Sequence, residues 1–184
     1  MPPIGGTRAS HPTGPSDPET YRFADDGLIP NNPSLPLLVY RGAIDLIGTP
    51  DPESTIEKVF RGNGWGDTWR NGIYPYVHYH SRIHEGMGIA RGRARVRFGG
   101  RQGREIDLVP GDVVVLPAGT GHQCLHASTD LVVIGTYPKT GRYDLCRGSK
   151  EEHAQALQWI PEVPVPDTDP VLGKHGALLR LWKN

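Results

Sequence analysis

Residues 73–98 read IYPYVHYHSRIHEGMGIARGRARVRF, and two patterns are superimposed there. The first is alternation. In Arg93–Phe98 the arginines 93, 95 and 97 point one way, and Ala94, Val96 and Phe98 the other, as on a strand with one wet face. Ile73–His80 alternates in the same way, which predicts a strand carrying Tyr74, Tyr76, His78 and His80 on one face. The second pattern is chemical. Three histidines and a glutamate (His78, His80, His84 and Glu85) fall within ten residues.

Working outward, the period of two recurs between turn signals. GGRQG at 99–103 predicts a hairpin turn, REIDL and VVVL flank the turn VPGD, and LVVIGTYP at 131–138 predicts a further strand. Upstream, residues 35–41 read as a first strand. In TPDPESTIEKVFRGNGWG, Asp51 can cap a helix, with Pro52 at its first position and Ile56, Val59 and Phe60 on one face. SKEEHAQALQWI at 149–160 predicts a second short helix. At least six short strands with regular turns define an all-β chain, a sandwich or small barrel, with a few short peripheral helices.

Composition agrees. The chain has 184 residues, and 24 Gly with 18 Pro disfavour long helices. Net charge is zero, and no basic stripe suggests nucleic acid. No apolar run is long enough for a membrane span and no secretory signal is visible. With two cysteines, Cys124 and Cys146, no disulfide framework is expected, and the cytoplasm is the expected compartment. Residues 1–20, His11 among them, are expected to form a flexible arm, 21–160 the β domain, and 161–184 a Pro-rich tail packing on it.

His78 and His80 share a face, Glu85 lies just past the next turn, and PAGTGHQCLH supplies a distant histidine, His122. Three imidazoles and one carboxylate suit a divalent transition metal such as Fe, Mn, Ni or Zn. A paired-cysteine zinc site is excluded by the absence of its motif.

These residues resemble the two motifs of the cupin superfamily. Gly72, His78, His80, Glu85 and Gly92 fill G-x5-H-x-H-x4-E-x6-G, and Gly111, Pro117, Gly119 and His122 fill G-x5-P-x-G-x2-H, with residues 93–110 between them. Over residues 22–182 the stretches DDGLIPNNPSLPLLVYRGA, NGWGDTWRNGIY, VLPAGTGHQ and YDLCRG look like single-domain bacterial YjlB-like cupins. The resemblance implies a double-stranded β-helix (jelly roll) with a metal held by His78, His80, Glu85 and His122, and a homodimer. The chain departs from the family pattern at His126, where the second motif ends in Asn, and at His84, which stands beside Glu85 and competes with it as fourth ligand.

If the strand after His122 is regular, Cys124 and His126 also face inward, with Tyr74, Tyr76, Met87 and Ile89. His126 and Tyr76 are then the candidate catalytic groups, His126 as a base or outer partner of the ion. Trp65 and Trp69 are expected to fix the loop ahead of the histidine strand. The leading expectation is a metal-dependent enzyme acting on a small molecule, of dioxygenase type with iron or manganese. The alternatives are a metal-dependent isomerase, lyase or decarboxylase, or a non-catalytic ligand-binding cupin.

Overall fold

The unbroken apolar runs Leu37–Tyr40 and Val113–Leu116 belong to strands buried on both faces. The structure, a computed structural model, describes residues 17–183. His11, and the expected arm as far as residue 16, lie outside the described residues. The described residues contain nine strands: β1 (Glu19–Tyr21), β2 (Leu37–Tyr40), β3 (Trp65–Asn71), β4 (Glu85–Arg91), β5 (Ala94–Phe98), β6 (Arg104–Leu108), β7 (Val113–Leu116), β8 (His122–Ala127) and β9 (Val132–Pro138). They form a six-stranded sheet, ordered β1-β2-β7-β4-β9-β3, and a three-stranded sheet, β6-β5-β8. All pairings are antiparallel.

Residues from both sheets fill the space between them. Leu37, Val39, Met87, Ile89, Val114, Leu116 and Val133 of the large sheet meet Val96, Phe98, Leu108 and Cys124 of the small one. The alternate residues Leu38, Tyr40, Val113, Val115 and Ile134 point outward and are covered by two helices, α1 (Pro52–Gly62) and α3 (Ala177–Trp182). Ile56 and Phe60 of α1, with Leu178 and Trp182 of α3, make this second layer. Burying both faces removes the need for polar alternation, so β2 and β7 are apolar throughout. A third helix, α2 (Lys150–Trp159), packs Ala156 among Ile29, Tyr79 and Cys146 and starts with a capping box between Ser149 and Glu152.

Helix α1 starts where its cap predicts, the Asp51 carboxylate accepting from the Ser54 N–H at 3.0 Å. Three expectations need correction. The arm drawn to residue 20 runs into β1, whose residues Glu19, Thr20 and Tyr21 pair with Val39, Leu38 and Leu37. Ile73–His80 is not a continuous strand. It makes isolated bridges only, His78 with His122 and Tyr79 with Cys146. Pro75 cannot donate to a ladder. Trp65–Asn71, expected as a loop, is strand β3, with an irregularity between Gly66 and Trp69 where Asp67 has φ 45°. Local composition there reads as a turn, and pairing with β9 overrides it.

Beyond residue 160, the chain returns across the outside of the large sheet. The Trp182 indole N–H donates to the Pro36 carbonyl at 2.9 Å, and buried Asp169 accepts from the Leu178 N–H at 3.2 Å and from the Tyr40 hydroxyl.

Candidate metal centre

His78, His80 and His122 are all buried, and one nitrogen from each lies within 4.8 Å of the others. The bridge between residues 78 and 122 brings the two motifs together, with the His78 N–H donating to the His122 carbonyl at 3.1 Å and the reverse bond at 2.9 Å. In each imidazole, Nδ1 meets a backbone carbonyl: Tyr76 for His78 (3.2 Å), Asp144 for His80, and Thr120 for His122 (3.1 Å). A carbonyl only accepts, so Nδ1 carries the hydrogen and the Nε2 lone pair is left to point into the cluster. Asp144 is itself anchored, its carboxylate accepting from Ser81 and Arg82 N–H groups.

Glu85, first residue of β4, completes the set. Its Oε2 lies 3.4 Å from His80 Nε2 and 3.3 Å from His122 Nε2. That oxygen is buried and has no hydrogen-bond partner. Burial would raise the Glu85 pKa, but the imidazoles of His80 and His122 outweigh it and keep the carboxyl well below its usual range. Burial, with His122 alongside, pushes His78 down to about 3. Burial opposes charge on His80 too, yet Glu85 and the Asp144 carbonyl raise its pKa overall. Inward lone pairs beside a carboxylate oxygen with no hydrogen-bond partner form a donor set that a cation would satisfy. Two to three imidazole nitrogens and a carboxylate are what a divalent transition ion takes, so these residues fit the metal that the motifs imply.

The other predicted residues are sorted differently. His84 is fully buried but faces away: its Nδ1 accepts from the Ala118 N–H at 2.9 Å and its ring lies 4.8 Å from that of Trp182. Between His84 and Glu85, only Glu85 reaches the cluster. His126 does not enter the cavity. The β5–β8 ladder shifts register, so that Val96 faces Cys124 while Arg95 faces His126. Leu125 is the extra residue, and it turns His126 onto the wet face with Arg95, where it is exposed. Cys124 stays in the barrel core, its thiol raised in pKa by burial. Tyr76 is not among the lining residues. It stacks on Tyr74 with centroids 4.8 Å apart, and the Arg147 guanidinium sits 3.8 Å above its ring.

A cavity of about 270 Å³ opens onto the cluster, walled by Trp69, Ile73, Met87 and Tyr137 and reaching Tyr74 and Tyr143 at its mouth. Tyr74 is 43% and Tyr143 53% exposed, so both rings are available to a ligand. Arg70 also lines it but is held by Glu57 at 2.7 Å and by Ser54. Trp69, Tyr137 and Tyr143 were not foreseen as site residues. Alternation along β9 places Val133, Gly135 and Tyr137 on one face, which could have identified Tyr137. Tyr143 follows the strand in a loop with no period to read.

Two facing sheets with this cluster between the motif strands define a cupin. No protein-family model matches the chain. The uncharacterized protein YjlB of Bacillus subtilis (strain 168) is 40% identical over 164 residues, covering 89% of this chain and 96% of that one. This chain belongs to the YjlB family. Among solved structures, the WlaRB TDP-quinovose 3,4-ketoisomerase from Campylobacter jejuni is 13% identical over 47% of this chain and 73% of its own, with a TM-score of 0.40. Acireductone dioxygenase from Bacillus anthracis, with cadmium in its active centre, is 20% identical over 48% and 60%, with a TM-score of 0.36. Among the described residues, no helix is long and apolar enough to cross a membrane.

Proposed function

We propose that this protein holds a divalent transition-metal ion through His78, His80, Glu85 and His122 and uses it on a small organic molecule. The leading chemistry is oxidative, of dioxygenase type, with iron or manganese. The observation that carries the reading is Glu85 Oε2, buried, unpartnered and within 3.4 Å of two inward-facing imidazole nitrogens. When bound, such an ion supplies Lewis acidity and coordination positions beyond the four protein atoms. The chain's own residues do the rest. Trp69, Ile73 and Met87 wall the cavity against water, while Tyr74 and Tyr143 offer ring faces at its mouth. Among the described residues that line it, Arg70 is paired with Glu57 and Glu85 faces the histidines, so ring contacts and coordination would select the ligand.

Tyr143 favours a second reading. Its ring lies 5.1 Å from that of His80 and its side chain is half-exposed, so its hydroxyl would be the proton carrier in this reading. A metal-dependent isomerase, lyase or decarboxylase would use it so.

Metal analysis of freshly purified protein tests the site, the expected result being close to one transition-metal ion per chain. Oxygen uptake on adding Fe(II) with small diols, diketones or thiols supports the first reading. Turnover under argon with Mn(II) or Ni(II) supports the second. A ligand held tightly without turnover under either regime would make the protein a binding module, and a metal-free protein that takes up none would refute the site.

A further inference from the structure

A directed chain of hydrogen bonds ends on Glu85. The Trp69 indole nitrogen lies 3.1 Å from the Tyr137 hydroxyl, which lies 3.3 Å from Glu85 Oε1. An indole N–H only donates, and a carboxylate only accepts. Tyr137 therefore accepts from Trp69 and gives its own hydrogen to Glu85, so the chain has a single polarity. One carboxylate oxygen is thereby committed, and the other, Oε2, is the one left facing His80 and His122.

The backbone is shaped to make this contact. Trp69 is delivered by the irregular part of β3, where the pairing with β9 slips between Gly66 and Trp69. Its indole lies directly over Gly135 of β9. A Cβ at that position would sit 1.8 Å from the ring, so only glycine lets the indole cross the strand and reach Tyr137 two residues on.

We propose that Trp69 and Tyr137 are positioning residues that hold Glu85 so that it offers one oxygen, and not two, to the ion proposed above. The inference rests on that metal reading. Four single-atom donors leave two positions on a six-coordinate ion, enough for a substrate that chelates through two oxygens. A carboxylate gripping through both oxygens would take one of them.

Co(II) titration and visible absorption of the full-length protein test this, with acetohydroxamate as a two-oxygen probe. In Tyr137→Phe, Co(II) is expected to bind ~10-fold more weakly, the low end for losing an outer partner of a ligand. Its d–d bands should shift as Oε1 becomes free to coordinate, and acetohydroxamate should bind at least ~10-fold more weakly than to the Co(II) wild type, on the same scale. Trp69→Phe, which keeps the tyrosine but removes its donor, should shift the bands in the same direction, and it decides the matter if Tyr137→Phe does not fold. A purely structural role would lower the melting temperature and leave the Co(II) spectrum and acetohydroxamate affinity unchanged; that outcome overturns the proposal while leaving the metal site intact. Failure of the wild type to bind Co(II) would overturn the metal reading and this proposal with it.

Discussion

At His78, His80 and His122, one ring nitrogen is given to a backbone carbonyl, so the other is the only one left for chemistry. Such pre-orientation makes each ring costly to remove. In His80→Ala or His122→Ala, metal affinity is expected to fall by more than the ~10–100-fold typical of outer partners, which metal analysis after dialysis will show. Cys146 has the opposite character. Its thiol is buried beside Asp144, and burial followed by that carboxylate pushes its pKa up to about 12. A raised thiol pKa leaves almost no thiolate at pH 8. Iodoacetamide is therefore expected to leave Cys146 unmodified in the folded protein and to label it in urea, as peptide mass spectrometry will report. The candidate ligand residues were readable because their spacing is local, or is fixed by a second glycine-rich turn. Trp69 and Tyr137 were not, because their meeting depends on a strand pairing that no local spacing records.

Single-residue irregularities in the strands redirect side chains. The extra residue Leu125 in β8 turns His126 outward, although strict alternation from His122 sends it in. His126→Asn is accordingly expected to leave metal content, and any activity found for the protein, unchanged; altered activity in a metal-replete variant would bring His126 back as a candidate site residue. The slip in β3 has the converse effect, since it delivers Trp69 to the cavity from a segment whose composition reads as a loop. The start of helix α1 was legible because its cap and proline act within a single turn of chain, and α2 lies within the stretch 149–160 read as a helix. The Ile73–His80 segment kept its alternation of side chains at 78 and 80 while losing the ladder, so both imidazoles still meet His122 from an element that is only two bridges.

For the whole molecule, the large sheet is buried twice, once against the small sheet and once beneath α1 and the C-terminal segment. The second layer carries stability without touching the metal cluster. Trp182 is 4% exposed and packs among Leu38, Tyr40 and Leu178. Trp182→Ala is expected to cost about 3–5 kcal/mol of unfolding free energy, measured by urea denaturation, with Co(II) affinity of the folded fraction unchanged. By itself the sequence determined the class of fold, two of the short helices and the three histidines of the candidate centre, because period, caps and motif spacing are properties of neighbouring residues. Only the tertiary structure decided which of His84 and Glu85 meets the histidines, that His126 stands outside, and that Trp69 and Tyr137 stand behind the carboxylate. Those outcomes depend on register between strands distant in sequence, where one added residue exchanges the two faces of a sheet.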